Sequence, residues 1–180
     1  MTTHVMLDLE TFGTKPGSVI ISIGACAFDA HDDVIRTTCH LAIDPVDARR
    51  HGLSIDAGTV LWWMDPARAA ARDAWFALDH IDLDSALIGF AGWLDQFGHD
   101  WVLWGNGSEF DNALLQTAYE VCGIPVPWTY KQNRCFRTVK KLFPDHEPPM
   151  AGTLHDALAD AVHQAHWLQN IAQSAADKVL

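Results

Sequence analysis

The chain has 180 residues, of which 49% are apolar and 19% charged, with a formal net charge of −11. Such a balance describes a globular protein with a full core, expected as one domain over residues 1–180, and excludes a disordered chain. The acidic total argues against a general nucleic-acid coat protein, and no apolar run approaches the roughly 18 residues of a membrane-spanning helix.

Residues 5–11 read as the first strand, and Asp8 and Glu10 within it stand at i, i+2 on one face. Two like charges on a buried strand are costly unless a cation or hydrogen bonds compensate them, and a hard divalent metal takes such oxygen ligands. A solvated strand end carries the same pair, so the pair alone does not decide. After the loop at 12–17, residues 18–28 are β-branched and apolar, a central strand. A polar turn at 29–33 leads to a third strand of an antiparallel meander at 34–43, closed by Asp44 and Pro45.

Residues 54–64 suggest a short helix capped by Ser54 or Asp56, and Pro66 opens another at 67–72. A helical period runs through 84–97, with Gly98 past its end. Residues 101–104 form a short strand and 109–121 a helix with Asp111 in its first turn. Residues 135–143 and 153–175 read as two further helices. Strands first, then helices alternating with further strands, imply a mixed sheet of the α/β or α+β class.

Cys26, Cys39, Cys122 and Cys135 include no CxxC pair and read as reduced thiols of a cytoplasmic protein. With acids at 8 and 10 and no basic stretch, the N-terminus does not read as a secretory leader. Lys131, Arg134, Arg137, Lys140 and Lys141 form the one concentrated basic run, either a solvated face or a phosphate-facing one.

Two later sites match the first strand's acids. Asp111 follows a strand at a helix start, where Asp serves equally as a cap and as an active-site acid. Asp160 lies among Ala and Leu at helix-packing spacing, an odd place for a charge without a partner. His155 is about 140° from it on a regular helix, so both meet one site only if His155 comes from the first turn or the preceding loop. Asp156, at i, i+4 to Asp160, is the competing ligand.

Asp8-x-Glu10, then Asn106 with Phe110-Asp111, then His155 and Asp160 resemble the three motifs of the DEDDh (DnaQ-like) 3′–5′ exonuclease superfamily, in order. The segment around Trp62-Trp63, the run from Trp104 to Ser108 and the run from Asn133 to Thr138 are similar to the Rv2179c-type exoribonuclease and phage-encoded branch. The resemblance implies a ribonuclease H-like fold: a five-stranded mixed sheet, antiparallel then parallel, flanked by helices. It also implies that Asp8, Glu10, Asp111 and Asp160 hold two Mg²⁺ or Mn²⁺ ions about 3.5–4 Å apart, with Asp8 bridging them. His155 would be the general base, since imidazole as a class titrates near working pH.

The implied reaction releases nucleoside 5′-monophosphates one at a time from the 3′ end of single-stranded nucleic acid, with RNA favoured over DNA. Thr11, Phe12 and Gly13 would line the terminal nucleotide, Asn106 and Phe110 belong to the second motif, and Trp62 or Trp63 would stack on a base. Adjacent helical residues face different ways, so at least one of the two is expected in the core. Arg134 and Arg137 would steer backbone phosphates. Relatives of this size imply a homodimer as a further partner state. The alternatives are a catalytically silent nucleic-acid or protein interaction module that kept the fold, and a hydrolase of small phosphoesters. Glu109 has no assigned role.

Overall fold

The computed structural model describes residues 2–176. Strands β1 (Thr3–Thr11), β2 (Ile20–Phe28) and β3 (Ile35–Ile43) form the antiparallel meander. Every residue of β2 is buried, as expected for a β-branched, apolar strand covered on both faces. The chain continues through α1 (Pro45–Arg50), α2 (Ala57–Met64), α3 (Ala69–Phe76), β4 (His80–Ile81) and α4 (Leu83–Leu94). It then forms β5 (Trp101–Gly105), α5 (Asp111–Cys122), β6 (Asn133–Cys135), α6 (Phe136–Leu142) and α7 (Ala157–Ala176).

The sheet order is β4-β3-β2-β1-β5-β6, an α/β arrangement with β5 parallel to β1 and β6 parallel to β5. The expected five strands are all present, and the two-residue β4 adds a sixth, parallel to β3. Both β4 and the three-residue β6 are too short for alternation to register in sequence. The sequence reading also passed over α1. There Asp44 caps the helix by accepting from the Val46 amide at 2.8 Å, and Pro45 occupies the first helical position. The final helix starts at Ala157 rather than at 153, and residues 153–156 form a turn before it.

Alternation along β1 sorts its side chains between two cores. Val5, Leu7 and Leu9 join the larger core with Leu87 and Phe90 of α4 and Leu114 and Leu115 of α5. Met6 points the other way, into the cluster of Cys26, Phe136, Ala161 and Ala165 under α7. Asp8 and Glu10 continue the Met6 series and so emerge on the α7 side.

Gly24 of β2 pairs with Asp8 across the ladder, and a Cβ there would overlap the backbone at Ala157 and Leu158. The first turn of α7 therefore rests directly on β2. Gly24→Ala must push that turn off the sheet, at a cost of about 1–3 kcal/mol. The expected result is a lower melting temperature together with reduced activity, because Asp160 rides on the same turn. A thermal melt unchanged by the substitution would show that α7 does not depend on this close approach.

Candidate active site

Asp8 and Glu10 sit towards the C-terminal end of β1, beside the C-terminal end of its parallel neighbour β5. β5 ends at Gly105, where a Cβ would strike Asn112 and the Asp111 carboxylate; only glycine lets the strand end close on α5. Asp111 opens α5 and is 2% exposed, and its Oδ2 is buried without a hydrogen-bond partner. Asp160 arrives from the first turn of α7.

His155 lies in the turn before α7, with a left-handed backbone at φ 63°. Its amide donates to Asp160 Oδ2 at 3.0 Å, which ties the turn to the helix. This is the placement that the 140° argument requires. Asp156 takes the other role: its Oδ1 accepts from the Ala159 amide at 2.9 Å as a helix cap, and it does not line the cleft. Single ligand atoms of Glu10, His155 and Asp160 lie within 4.8 Å of one another.

Asp8, Glu10, His155 and Asp160 line a cleft of about 650 Å³, walled by Trp62, Phe110, Lys140 and Trp167 among others, whereas the buried Asp111 is not among its lining residues. The crowding shows in the acidities. Burial pushes Asp8 well above the usual carboxylate range, and the neighbouring Asp111 and Asp160 add to it. Burial followed by Asp8 does the same to Glu10. Burial raises Asp111 to about 7, although nearby backbone amides and the Arg137 guanidinium pull against it. Asp160 is also raised by burial. Acids arranged to repel one another in a cleft are poised for a cation. The orphaned Asp111 Oδ2 and the all-oxygen donor set fit a hard divalent ion.

Of the sequence-assigned binding residues, Phe12, Gly13, Arg134 and Arg137 do not line the cleft. Trp63 is a core residue, not a stacking surface: it is 5% exposed, and its indole donates to the Thr11 carbonyl at 3.0 Å. Trp62 is the exposed member, at 38%. Its ring meets the His155 ring edge-on at 4.8 Å, and the Arg68 guanidinium covers it at 4.3 Å. Thr11 lines the cleft but spends its hydroxyl on the Gly13 carbonyl at 2.7 Å. Phe12 turns away from the cleft to pack against Trp75, and Gly13 is buried against Ser18.

Asn106 and Phe110 both line the cleft. Arg137 lies over Gly107, beside the second motif. Arg134 instead donates to the carbonyls of Lys131 and Asn133 at 2.8 and 2.9 Å, outside the cleft. Glu109 is exposed and does not line the cleft.

Among the cleft residues without a sequence assignment to the site, Gln164 and Lys140 reach the carboxylates. Gln164 donates to Asp8 Oδ1 at 2.8 Å and holds that carboxylate in place. Its signal was there to find, a polar residue four positions after Asp160 in the same helical stripe. Lys140, named only within the basic run, reaches the cleft over the rings of Phe136 and Trp167, at 5.6 and 5.8 Å. Burial lowers its pKa.

No curated protein sequence matches the chain. The profile of the 3′–5′ exoribonuclease Rv2179c-like domain matches residues 3–172. Among solved structures, the nuclease domain of 3′hExo, a DEDDh family member bound to rAMP, is similar at TM-score 0.64 and 14% identity, over 96% of this chain and 92% of that one. The cell-death related nuclease 4 (CRN-4) gives TM-score 0.66 and 18% identity, over 95% of this chain and 64% of that one. Exonuclease I of E. coli in complex with a dT13 oligonucleotide gives TM-score 0.68 and 16% identity, over 99% and 42%. The chain thus spans under two-thirds of CRN-4 and under half of Exonuclease I. At such identities these likenesses establish the fold.

Proposed function

The chain belongs to the Rv2179c-like 3′–5′ exoribonuclease family, and from that premise we propose a single-domain, metal-dependent exonuclease that shortens single-stranded nucleic acid, RNA in preference to DNA. That it is a 3′–5′ exonuclease follows from the family. The observation that carries the chemistry is the convergence of Asp8, Glu10 and Asp160 on one cleft beside His155, with the buried Asp111 near enough to raise Asp8, and all four carboxyl pKa values raised. A silent interaction module has no use for such mutual repulsion.

In this reading the four acids would hold two Mg²⁺ or Mn²⁺ ions, which would supply a lowered pKa for the attacking water and charge stabilisation for the departing 3′-oxygen. His155 takes the water's proton as the oxygen attacks phosphorus, and the bond from phosphorus to the 3′-oxygen breaks. The product is a nucleoside 5′-monophosphate and a chain one residue shorter. Gln164 orients Asp8, while Asn106 and Phe110 bound the terminal nucleotide. Trp62 offers a ring for stacking, worth roughly 1–3 kcal/mol per base. A preference for RNA draws support from the family's exoribonuclease description and from rAMP in the 3′hExo structure.

The cytoplasm suits its free cysteines. A homodimer is the expected assembly, with exposed Leu61, Met64 and Phe76 the surface offered for it. Light scattering that returns a monomer mass would remove that part.

Incubating 5′-labelled single-stranded RNA and DNA of one sequence with the protein and Mg²⁺, Mn²⁺ or EDTA tests the whole reading. We expect a metal-dependent ladder shortening from the 3′ end, faster on RNA. An intact strand under every metal would leave the interaction module as the better account. Faster DNA shortening would reverse the sugar preference.

Lys140 lines this cleft and Arg137 lies near it over Gly107, and these two are the cations offered to backbone phosphates. Replacing both by Ala should raise KM and reduce the salt slope of binding by roughly 0.7 per lost phosphate contact. Arg134→Ala should change neither, because that guanidinium is spent on its own loop. Equal slopes for wild type and the double variant would return the basic run to a solvated face.

A further inference from the structure

A second cluster of metal-ligating side chains lies where α1, α4 and α5 meet. His51 follows the last residue of α1, Asp84 lies in the first turn of α4, and Cys122 ends α5. His51 Nδ1 is 3.6 Å from Cys122 Sγ, and its Nε2 is 3.7 Å from Asp47 Oδ2 and 3.9 Å from Asp84 Oδ1. One ligand atom from each of His51, Asp84 and Cys122 lies within 4.8 Å of the others. None of the three lines the nuclease cleft.

We propose that His51, Asp84 and Cys122 form a second metal site, suited to Zn²⁺ rather than Mg²⁺, which clamps α1 to α4 and α5. Sulfur, imidazole nitrogen and a carboxylate oxygen are the donor set of zinc, whereas magnesium takes oxygen. Tetrahedral zinc with ordinary Zn–S and Zn–N bonds holds sulfur and nitrogen about 3.6 Å apart, which is the Cys122–His51 separation found here.

Two further observations point to an absent cation. Asp84 Oδ1 itself is shielded from solvent and makes no hydrogen bond, although the Asp84 side chain as a whole is 49% exposed. Among the described residues, no lysine or arginine pairs with Asp47 or Asp84; their ion-pair partner is His51. Asp47 has the place of an orienting group. Its Oδ2 accepts from the Leu83 amide at 2.9 Å, which fixes it beside the ring nitrogen of His51 that would not ligate. Three protein ligands leave the fourth position to water. Burial with Asp84 and Asp47 pushes the Cys122 thiol up to about 12, so the ion would enter by displacing the thiol proton to solvent.

Cobalt titration of a variant whose cleft is neutralised, Asp8→Asn with Asp160→Asn, tests this independently of nuclease activity. Co²⁺ should bind at one equivalent with a thiolate-to-metal charge-transfer band. Adding Cys122→Ser should abolish the band, and His51→Ala should weaken it. In the otherwise native protein, Cys122→Ser should lower Zn²⁺ affinity at least about tenfold in competition with a chelating dye, and leave Mg²⁺-supported RNA hydrolysis unchanged. Zn²⁺, and not Mg²⁺, should raise the melting temperature of the cleft-neutralised protein, and Cys122→Ser should cancel the rise. No charge-transfer band, or a band that survives Cys122→Ser, would overturn the proposal.

Discussion

Asp8→Asn should reduce nuclease activity by about 10³-fold or more while raising the melting temperature of the metal-free protein. Asn preserves an oxygen for the Gln164 amide that now bonds Asp8 Oδ1, and it removes only the charge. That charge is buried and faces Asp111 and Asp160, so its removal relieves repulsion. The ions that the four acids would hold lose a charged ligand, so the two readouts move in opposite directions. A variant that keeps near-native turnover would refute the assignment of Asp8. A variant that loses activity and stability together would show that Asp8 supports the fold instead.

Burial of the carboxylates sets the sign of the pH dependence. Asp111 ionises near 3.8 when unperturbed and near about 7 in the fold. Between those values the folded protein holds a proton that the unfolded chain has released, so stability falls as pH rises. The contribution is complete below about pH 4 and is lost by about pH 7; Asp8 and Glu10, raised by burial, act in the same direction. Divalent ions should therefore stabilise the protein most above neutrality. Thermal melts of EDTA-treated protein across this range, repeated with Mg²⁺, check the sign. A metal effect that grows towards acid pH would be inconsistent with this cluster.

His155→Asn should lower turnover by roughly 10²–10⁴-fold, the usual worth of a general base, with little change in Mn²⁺ affinity. Asn tolerates the left-handed backbone at φ 63°, so this replacement removes the imidazole without straining the turn. His155→Ala adds backbone strain to the same chemical loss. Isothermal titration with Mn²⁺ separates the roles, because His155 also stands within 4.8 Å of Glu10 and Asp160 as a possible ligand. Loss of Mn²⁺ affinity in proportion to turnover would make it a ligand. Trp62, edge-on to the His155 ring, holds that ring in the cleft, so Trp62→Ala should reproduce part of the turnover loss as well as raise KM.

Strong local patterns read through to the structure. Asp8 and Glu10 share a face because alternation is a property of any strand, and Met6 two residues earlier goes under α7 as that alternation demands. Asp111 opens α5 as its sequence position suggested, whereas His155 precedes α7 only because that helix starts at Ala157, four residues later than its sequence period indicated. The sequence offered no periodic signal for α1, β4 or the position of β6, because each holds too few residues for a period to show.

Sequence by itself determined the order and type of the main elements, the three acidic motifs, and the need for His155 to leave the helix if it is to meet Asp160. Tertiary structure alone decided which of two adjacent tryptophans faces solvent, that Phe12 packs on Trp75 rather than the cleft, and that Arg134 spends its guanidinium on its own loop. It alone brought Lys140 and Gln164 to the carboxylates, and His51, Asp84 and Cys122 to one another. The division has a physical cause. Periodicity and capping act over a few residues and are written locally. Burial and the partner of a flexible side chain depend on what distant segments leave open once the core has closed.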